Sequence, residues 1–181
     1  MRVNNIYYGT LTKVNDSSFV LTDGAESYEI KVQEKGKAIL SADPSRNTPV
    51  ICIADKDGVL VAFRYYSGHF DALEQIPSRD DPEKTVRVRT HVILGRVTRV
   101  REIEGTNRAA LTIAVGNGDQ TEWVSCTAWD EKAQKVIVDL ATEEGERKPT
   151  ICARCSQHKY TRANGEEGVS YNLLDYTVVP Q

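Results

Sequence analysis

The chain has 181 residues, of which 40% are hydrophobic and 27% are charged, and its formal net charge is −3. No apolar run approaches the roughly 20 residues of a membrane helix, and the first residues lack the apolar core of a signal peptide, so we expect a cytoplasmic protein without a membrane partner. Four cysteines are too few for a disulfide scaffold and should be thiols. The negative charge excludes a strongly basic surface and allows only a local basic patch.

The first half of the chain carries two stretches that recur in the second half. Residues 9–14 match residues 95–100, an offset of 86, and residues 48–52 match residues 148–152 at Pro, Ile and Cys, an offset of 100. Residues 1–84 hold 10 Lys/Arg and 13 Asp/Glu, whereas residues 85–181 hold 13 of each, so the acidic excess lies in the first half. The partial repeat predicts two domains with one plan, the second longer than the first.

A polar stretch with two prolines, residues 75–84, interrupts all periodicity near the middle of the chain. We therefore predict a degenerate first domain over residues 1–76, a linker over 77–85 and a second domain over 86–181. The first domain has aromatic residues of its own, but it is acidic, so we expect it to serve oligomerisation or partner binding. Four of its residues are weaker candidates for extending a binding surface: Lys13, Lys31, Arg64 and Tyr65.

The second half predicts five strands and one helix. Asp130 offers an N-cap, and apolar residues then follow at helical spacing. Asn164 and Gly165 predict a tight turn between the last two strands. The predicted strands are 86–101, 109–115, 121–129, 150–160 and 169–179, and the helix is 131–142. This β-β-β-α-β-β order is the plan of the OB-fold. We predict an all-β protein with short helices, built of tandem OB-fold five-stranded Greek-key barrels.

The only two tryptophans of the chain lie on one predicted strand, residues 121–129. Their even spacing places Trp123 and Trp129 on one face together with small polar residues, while the other face is apolar. Flat rings on a solvated sheet can stack unpaired nucleic-acid bases, at about 1–3 kcal/mol per base. The alternative interpretation is that these rings pack in the core or, for Trp129, close the end of the barrel.

Residues 90–179 resemble the bacterial single-stranded DNA-binding protein family, in a tandem two-barrel form. The resemblance rests on motifs in the expected order: residues 92–98, residues 110–115, Thr121-Glu122-Trp123, Trp129-Asp130-Glu131-Lys132-Ala133 and His158-Lys159-Tyr160-Thr161. It implies base stacking on Trp123, Trp129 and Tyr160. It also implies a homo-oligomer, and two barrels per chain favour a dimer.

Besides the second barrel, two departures from the family pattern limit what the resemblance implies. Residues 116–121 form a short segment without an aromatic residue, so one stacking platform is missing. The chain ends at Gln181 without the flexible acidic tail through which housekeeping members recruit partners, so we expect poor recruitment.

Basic side chains near the aromatic residues are the candidates for phosphate contacts. Gly95 should bend the first strand, so Arg99 and Arg101 are favoured over Arg87 and Arg89. Tyr171 is a weaker stacking candidate because strand tyrosines often finish a core edge. The further basic candidates are Arg96, Arg108, Lys132, Lys159 and Arg162.

The sequence gives little support for a metal site or for catalysis. Cys152 and Cys155 form a CxxC motif followed by His158, but a zinc site needs four ligands and the two cysteines should face opposite sides of a strand. The histidines are scattered and no phosphate-binding glycine loop is present, so we expect a non-enzyme with no cofactor and no metal.

The sequence therefore predicts sequence-independent binding and protection of single-stranded DNA in replication, recombination or repair. The alternative is an OB-fold protein-interaction module, such as a primosome adaptor or an assembly scaffold, with little nucleic-acid affinity. RNA is a third possible partner, because stacking platforms do not by themselves distinguish the two sugars. The residue expected to correspond to Trp129 in the first domain is Glu34.

Overall fold

The computed structural model describes residues 1–41 and 47–180. Strands dominate it, and the one α-helix is short. The strands are β1 (Arg2–Val3), β2 (Ile6–Val14), β3 (Ser18–Thr22), β4 (Ser27–Lys31), β5 (Pro49–Ala54), β6 (Leu60–Tyr65), β7 (Gly68–Pro77), β8 (Thr85–Ile103), β9 (Arg108–Val115), β10 (Glu122–Trp129), β11 (Thr150–Thr161) and β12 (Glu167–Val178). The helix α1 spans Glu131–Leu140, and two 3-10 helices span Glu34–Ser41 and Gly118–Gln120. No helix in the described part of the chain is long and apolar enough to span a membrane.

The second half of the chain forms a closed five-stranded barrel. Its strands pair in the order β8-β9-β10-β12-β11, and β11 pairs again with β8 to close the ring. All pairings are antiparallel except β10 with β12, which is parallel. The helix α1 lies between the third and fourth strands of the barrel and buries Ala133, Val136 and Leu140 against its core. This order and this helix position define an OB-fold, and the prediction of an all-β OB-fold protein is confirmed.

The first half repeats this order in a smaller form. Its strands pair as β4-β3-β2-β5-β6, and a parallel bridge from Lys31 to Val59 brings the third strand next to the start of the fifth. The 3-10 helix Glu34–Ser41 occupies the place of α1 and buries Ile39. A separate core, which includes Leu11, Phe19 and Ile30, fills this barrel.

The first strands of the two barrels share two details that explain the repeat of residues 9–14 in residues 95–100. A Cβ atom on Gly9 would lie 2.7 Å from the carbonyl oxygen of Thr22, and one on Gly95 would lie 2.6 Å from that of Ala114. Three residues after each glycine, a β-bulge shifts the register, at Thr12 and at Thr98. Both positions therefore need glycine because the second strand of the barrel passes too close for a side chain.

The second repeat is one residue out of register with the structure. Gly9 pairs with Val50, whereas Gly95 pairs with Ile151, so the fourth strands correspond at an offset of 101 rather than 100. A shift of one residue exchanges the faces of a strand. Accordingly Cys52 lies in the core of the first barrel, whereas Cys152 lies in the cluster between the barrels.

The two barrels are joined by a hairpin and by a shared apolar cluster. Residues 77–85, predicted as a linker, are the end of β7, a turn and the start of β8, and β7 pairs with β8 from Gly68 to Pro77. The shared cluster packs side chains of the first half of the chain against β7 and the second half: Val3, Ile6, Tyr8 and Ile51 against Ala72 of β7 and against Val92, Leu94, Cys152 and Val179. The stated domain boundaries remain a prediction.

The other predicted elements are close to those observed. The hairpin of β11 and β12 turns at Asn164 and Gly165, where Gly165 has a φ of 85°. The predicted helix 131–142 ends earlier, at Leu140. Asp130 precedes the helix, but its side chain makes no capping hydrogen bond and its φ is 54°, so the predicted side-chain cap is wrong.

Candidate nucleic-acid interface

A shallow trough runs along the outer face of β8, β9 and β10. Arg96 and Trp123 both pair with Ala114, and Arg99 pairs with Thr112, so these side chains lie in cross-strand rows. The middle strand presents small side chains between an arginine row on β8 and a tryptophan row on β10. Because neighbouring strands are about 4.8 Å apart, the two rows are about 10 Å apart.

The bulge at Thr98 creates the arginine row. Arg96 and Arg99 are three residues apart and would face opposite sides of a regular strand, since side chains alternate along it. The bulge brings Arg96, Arg99 and Arg101 onto the outer face, where all three are exposed. Within the described residues, none of the three lies within salt-bridge distance of an acidic side chain. The trough therefore has one cationic side.

The two tryptophans on β10 differ in their accessibility. Trp123 is 64% exposed. Trp129 is half-buried, and its Nε1 donates a hydrogen bond of 3.0 Å to Oδ1 of Asn172. The guanidinium carbons of Arg79 and Arg108 lie 4.3 Å and 4.9 Å from the centre of its ring, within cation–π distance. Trp123 is thus an open platform, whereas Trp129 already has cationic neighbours.

Tyr160 lies on the same outer surface, on the hairpin of β11 and β12 that extends beyond the barrel. It is 47% exposed, and its ring covers Gly168 on the opposite strand, where a Cβ atom would lie 2.5 Å from Cζ of the tyrosine. Lys159 is exposed on the other face of the same strand, and Arg162 lies in the turn, 3.8 Å from Glu166. The structure therefore brings Tyr160, but not Lys159, onto the outer face with the tryptophans.

Tyr171 lies apart from the other aromatic candidates. Its ring packs against the core of the second barrel, 5.2 Å from the ring of His91, which in turn lies 4.7 Å from that of His69. His91 contacts the carboxylate of Asp71. Burial, together with nearby acidic groups, raises the pKa of Tyr171. Tyr171 therefore lies at the edge of the core beside a polar cluster, as expected for a strand tyrosine.

A groove borders Trp129 on its second side, toward the hairpin of β7 and β8. It has a volume of about 610 Å³ and includes Lys132 on α1, Asn172 on β12 and Ser156 on β11. Its other wall is formed by Ile76, Pro77, Arg79, Val86 and Val88 of the hairpin. Arg79 was not among the predicted site residues because it lies in the stretch predicted as a linker. The alternation of Val86 and Val88 with arginines was the signal of an apolar strand face there.

The cysteines occupy cores rather than a ligand site. Cys152 lies between the barrels and Cys155 lies in the core of the second barrel, so the two sulfurs of the CxxC motif face opposite sides of β11, as predicted. Burial raises the pKa of Cys152, and a contact with Cys126, together with burial, raises that of Cys155. Among the residues that the structure describes, no group of three or more His, Cys, Asp or Glu side chains could hold a metal ion.

At the described positions that correspond to Trp123 and Trp129, the first barrel has no aromatic side chain. The pairing of β3 with β4 places Ser27 where the second barrel has Trp123, since Ser27 pairs with Thr22 as Trp123 pairs with Ala114. Counting along the strand from this pair puts Gln33, not Glu34, in the place of Trp129. The fourth and fifth strands, β5 and β6, have six residues each instead of twelve, so the part of the hairpin that carries Tyr160 is absent.

Of three comparisons with known proteins, only the one with solved structures finds similar chains. No family model matches the sequence, and no curated protein matches it. Two crystal structures of Rim1, the mitochondrial single-stranded DNA binding protein of S. cerevisiae, align with 51% of this chain and 95% of theirs, at 19% and 20% identity and TM-scores of 0.40 and 0.39. A deletion mutant of the single-stranded DNA binding protein from Thermus aquaticus aligns with 97% of this chain and 93% of its own, at 13% identity and a TM-score of 0.38. The fold assignment here rests on strand order and pairing.

Proposed function

We propose that this protein binds single-stranded DNA without sequence specificity through the second barrel. Bases stack on Trp123, Trp129 and Tyr160, and arginines of β8 contact the phosphates. The observation that carries the proposal is the trough, in which an open tryptophan and a row of unpaired arginines lie about 10 Å apart across a floor of small side chains. A single strand offers bases on one side and phosphates on the other, and the two rows match this division.

The contribution of each group follows from its exposure. Trp123 contributes most of the stacking, because its side chain is the most exposed of the three. A base reaches the face of Trp129 only when a guanidinium group moves aside, so stacking there exchanges one contact for another. Arg108 and Lys132 lie beside Trp129 and are suited to phosphate contacts, as is Arg162 on the distal hairpin.

The first barrel supports the second rather than binding the strand. Its composition is acidic, and its described residues include no aromatic counterpart of Trp123, Trp129 or Tyr160. We therefore expect it to have little affinity for nucleic acid. We assign it to the assembly of a homodimer, which would bring four barrels together, and light scattering measures this directly. Coating exposed strands during replication, recombination or repair is the role that such binding would serve.

The test is a titration with oligothymidine, with oligouridine and with duplex DNA of the same length, followed by tryptophan emission at two salt concentrations. We expect quenching by the single strands, no response to the duplex and a lower affinity at high salt. Log affinity for a single strand falls with log salt by about 0.7 for each phosphate contact.

Each outcome has a clear meaning. Equal affinity for oligouridine would extend the proposal to RNA. Absence of binding to any single strand at low salt would overturn the proposal in favour of the protein-interaction module. Tight binding to duplex DNA would also contradict it, because paired bases cannot stack on Trp123.

A further inference from the structure

The hairpin of β7 and β8 is fixed at its base and projects beyond the barrel at its tip. Arg154 on β11 donates hydrogen bonds to Asp175 on β12, at 2.6 Å, and to Glu74 on β7, at 3.3 Å, which attaches the first arm to the barrel. Beyond this point β7 and β8 pair only with each other, and a turn between Ser78 and Lys84 closes the tip. The hairpin is therefore held at a defined distance from the outer face of the barrel.

The space between the hairpin tip and the barrel is the groove beside Trp129. Its volume of about 610 Å³ lies within the roughly 300–1,000 Å³ typical of small-molecule pockets. Residues of β10, β11 and β12 form the floor and one wall, and the hairpin forms the other wall. The groove adjoins the surface that carries Tyr160, since Ser156, His158 and Tyr160 share one face of β11.

The hairpin wall is apolar although it lies outside both cores. Val86 is 42% exposed, and Val88 and Ile76 are half-buried on the same face of the hairpin. A projecting hairpin does not need three branched apolar residues facing a groove in order to fold, and apolar side chains that remain partly exposed there are suited to contact a ligand. Across the groove stands the indole of Trp129. The two walls thus offer apolar contact to both faces of a flat ligand.

The floor and the rim of the groove are polar. Oγ of Ser156 lies 3.1 Å from Nε2 of His158, and Oδ1 of Asn172 accepts the hydrogen bond from Trp129. Arg79 and Lys132 stand at the rim together with the acidic residues Asp130 and Glu131. An unpaired nucleobase has two apolar faces and a polar edge, and its phosphates need cations nearby, so it matches the groove in shape and in chemistry.

We propose that the β7–β8 hairpin is part of the strand-binding surface and holds one unpaired base between Val86, Val88 and the indole of Trp129. Arg79 covers Trp129 in the free protein and moves from the ring to the phosphates when the base enters. This inference rests on the proposed function and adds to it a second wall, made of residues outside the family-like motifs.

A pair of valine substitutions tests the groove. Val86→Asp places a carboxylate in the apolar wall, and Val178→Asp makes the same charge change at a valine of equal exposure, 43%, on β12 away from the groove. With labelled oligothymidine, we expect the first variant to bind about tenfold more weakly than the wild type and the second to change by less than twofold. Thermal melting of both variants should be alike, because neither valine is buried.

Limited proteolysis supplies a second measurement on the unmodified protein. Trypsin should cut the hairpin tip after Lys84 and the exposed loop between α1 and β11 after Arg147. If a base occupies the groove, oligothymidine slows cleavage after Lys84 several-fold and leaves cleavage after Arg147 unchanged.

The outcomes separate this inference from the proposed function. If Val86→Asp binds like Val178→Asp and the hairpin is cut equally with and without oligonucleotide, while Trp123→Ala loses binding, the groove proposal is overturned and the trough proposal stands. If the wild type binds no single strand, both are overturned. Weak binding by Val86→Asp together with selective protection of Lys84 supports the groove.

Discussion

The two barrels share a frame and differ in what they carry. Each has a glycine and a bulge at matching places in its first strand, and each has a helix between its third and fourth strands. On the third strand, however, the first barrel has Ser27 where the second has Trp123. The shared glycine and bulge follow from the close approach of neighbouring backbones and from strand register, which allow few residue types at these positions. The outer face is free to vary, so function in this chain is decided by side chains that the fold does not need.

The largest effect is expected from making the second barrel resemble the first at its open platform. Trp123→Ser should lower affinity for oligothymidine by roughly 5- to 150-fold, the equivalent of about 1–3 kcal/mol of stacking. Thermal stability should hold, because the ring is exposed. Ser27→Ala, at the corresponding site, is the control and should leave binding unchanged. If both variants bind as the wild type does, the difference between the barrels does not lie in this platform.

A second pair of substitutions tests the shared frame. Gly95→Ala and Gly9→Ala each force a Cβ atom against a backbone carbonyl, and overpacking of this kind costs about 1–3 kcal/mol. Denaturant unfolding should show a similar loss of stability for both. Gly105→Ala, where a Cβ atom meets nothing and only a φ of 71° is unfavourable, should cost less. A loss in one barrel alone would mean that the two glycines do not have the same role.

The smallest effect is expected from single charges in the two first strands. The matched bulges make Lys13 the counterpart of Arg99. Arg99→Gln should reduce the slope of log affinity against log salt by about 0.7, the value for one phosphate contact with a single strand. Lys13→Gln should leave the slope unchanged. Equal changes in both variants would show that the first barrel also contacts the strand.

Local patterns were sufficient to predict much of the fold and of the interface. The alternation of Trp123 and Trp129 with apolar residues gave the correct faces of β10, and Asn164 with Gly165 gave the correct turn. These signals work because strand alternation and turn conformation depend on neighbours in sequence. The order of strands and helix then restricted the fold to the OB plan.

The remaining features depend on pairing between distant residues. No local sequence pattern predicts the bulge at Thr98. It is this bulge that places Arg96 on the same face as Arg99. The predicted counterpart of Trp129, Glu34, is one residue from Gln33, which the pairing of β3 with β4 indicates. The polar, proline-containing residues 77–85 have the composition of a linker and of a hairpin turn alike, and only the pairing of β7 with β8 reveals the hairpin. Arg79 was overlooked for that reason.

The bulge at Thr98 also marks the one place where the paired part of β8 could lose a residue over evolutionary time without exchanging its faces. Deleting Thr98 would restore regular alternation with Arg99 and Arg101 still on the outer face, whereas deleting a paired residue such as Val100 would turn Arg101 toward the interior. Outside the bulge, the first strand can therefore exchange its side chains freely but cannot lose a residue without exchanging the faces beyond it. The first barrel keeps its bulge at Thr12 and carries a different set of outer side chains. Substitution, rather than insertion or deletion, is thus the route by which a strand of this kind gains or loses a binding face.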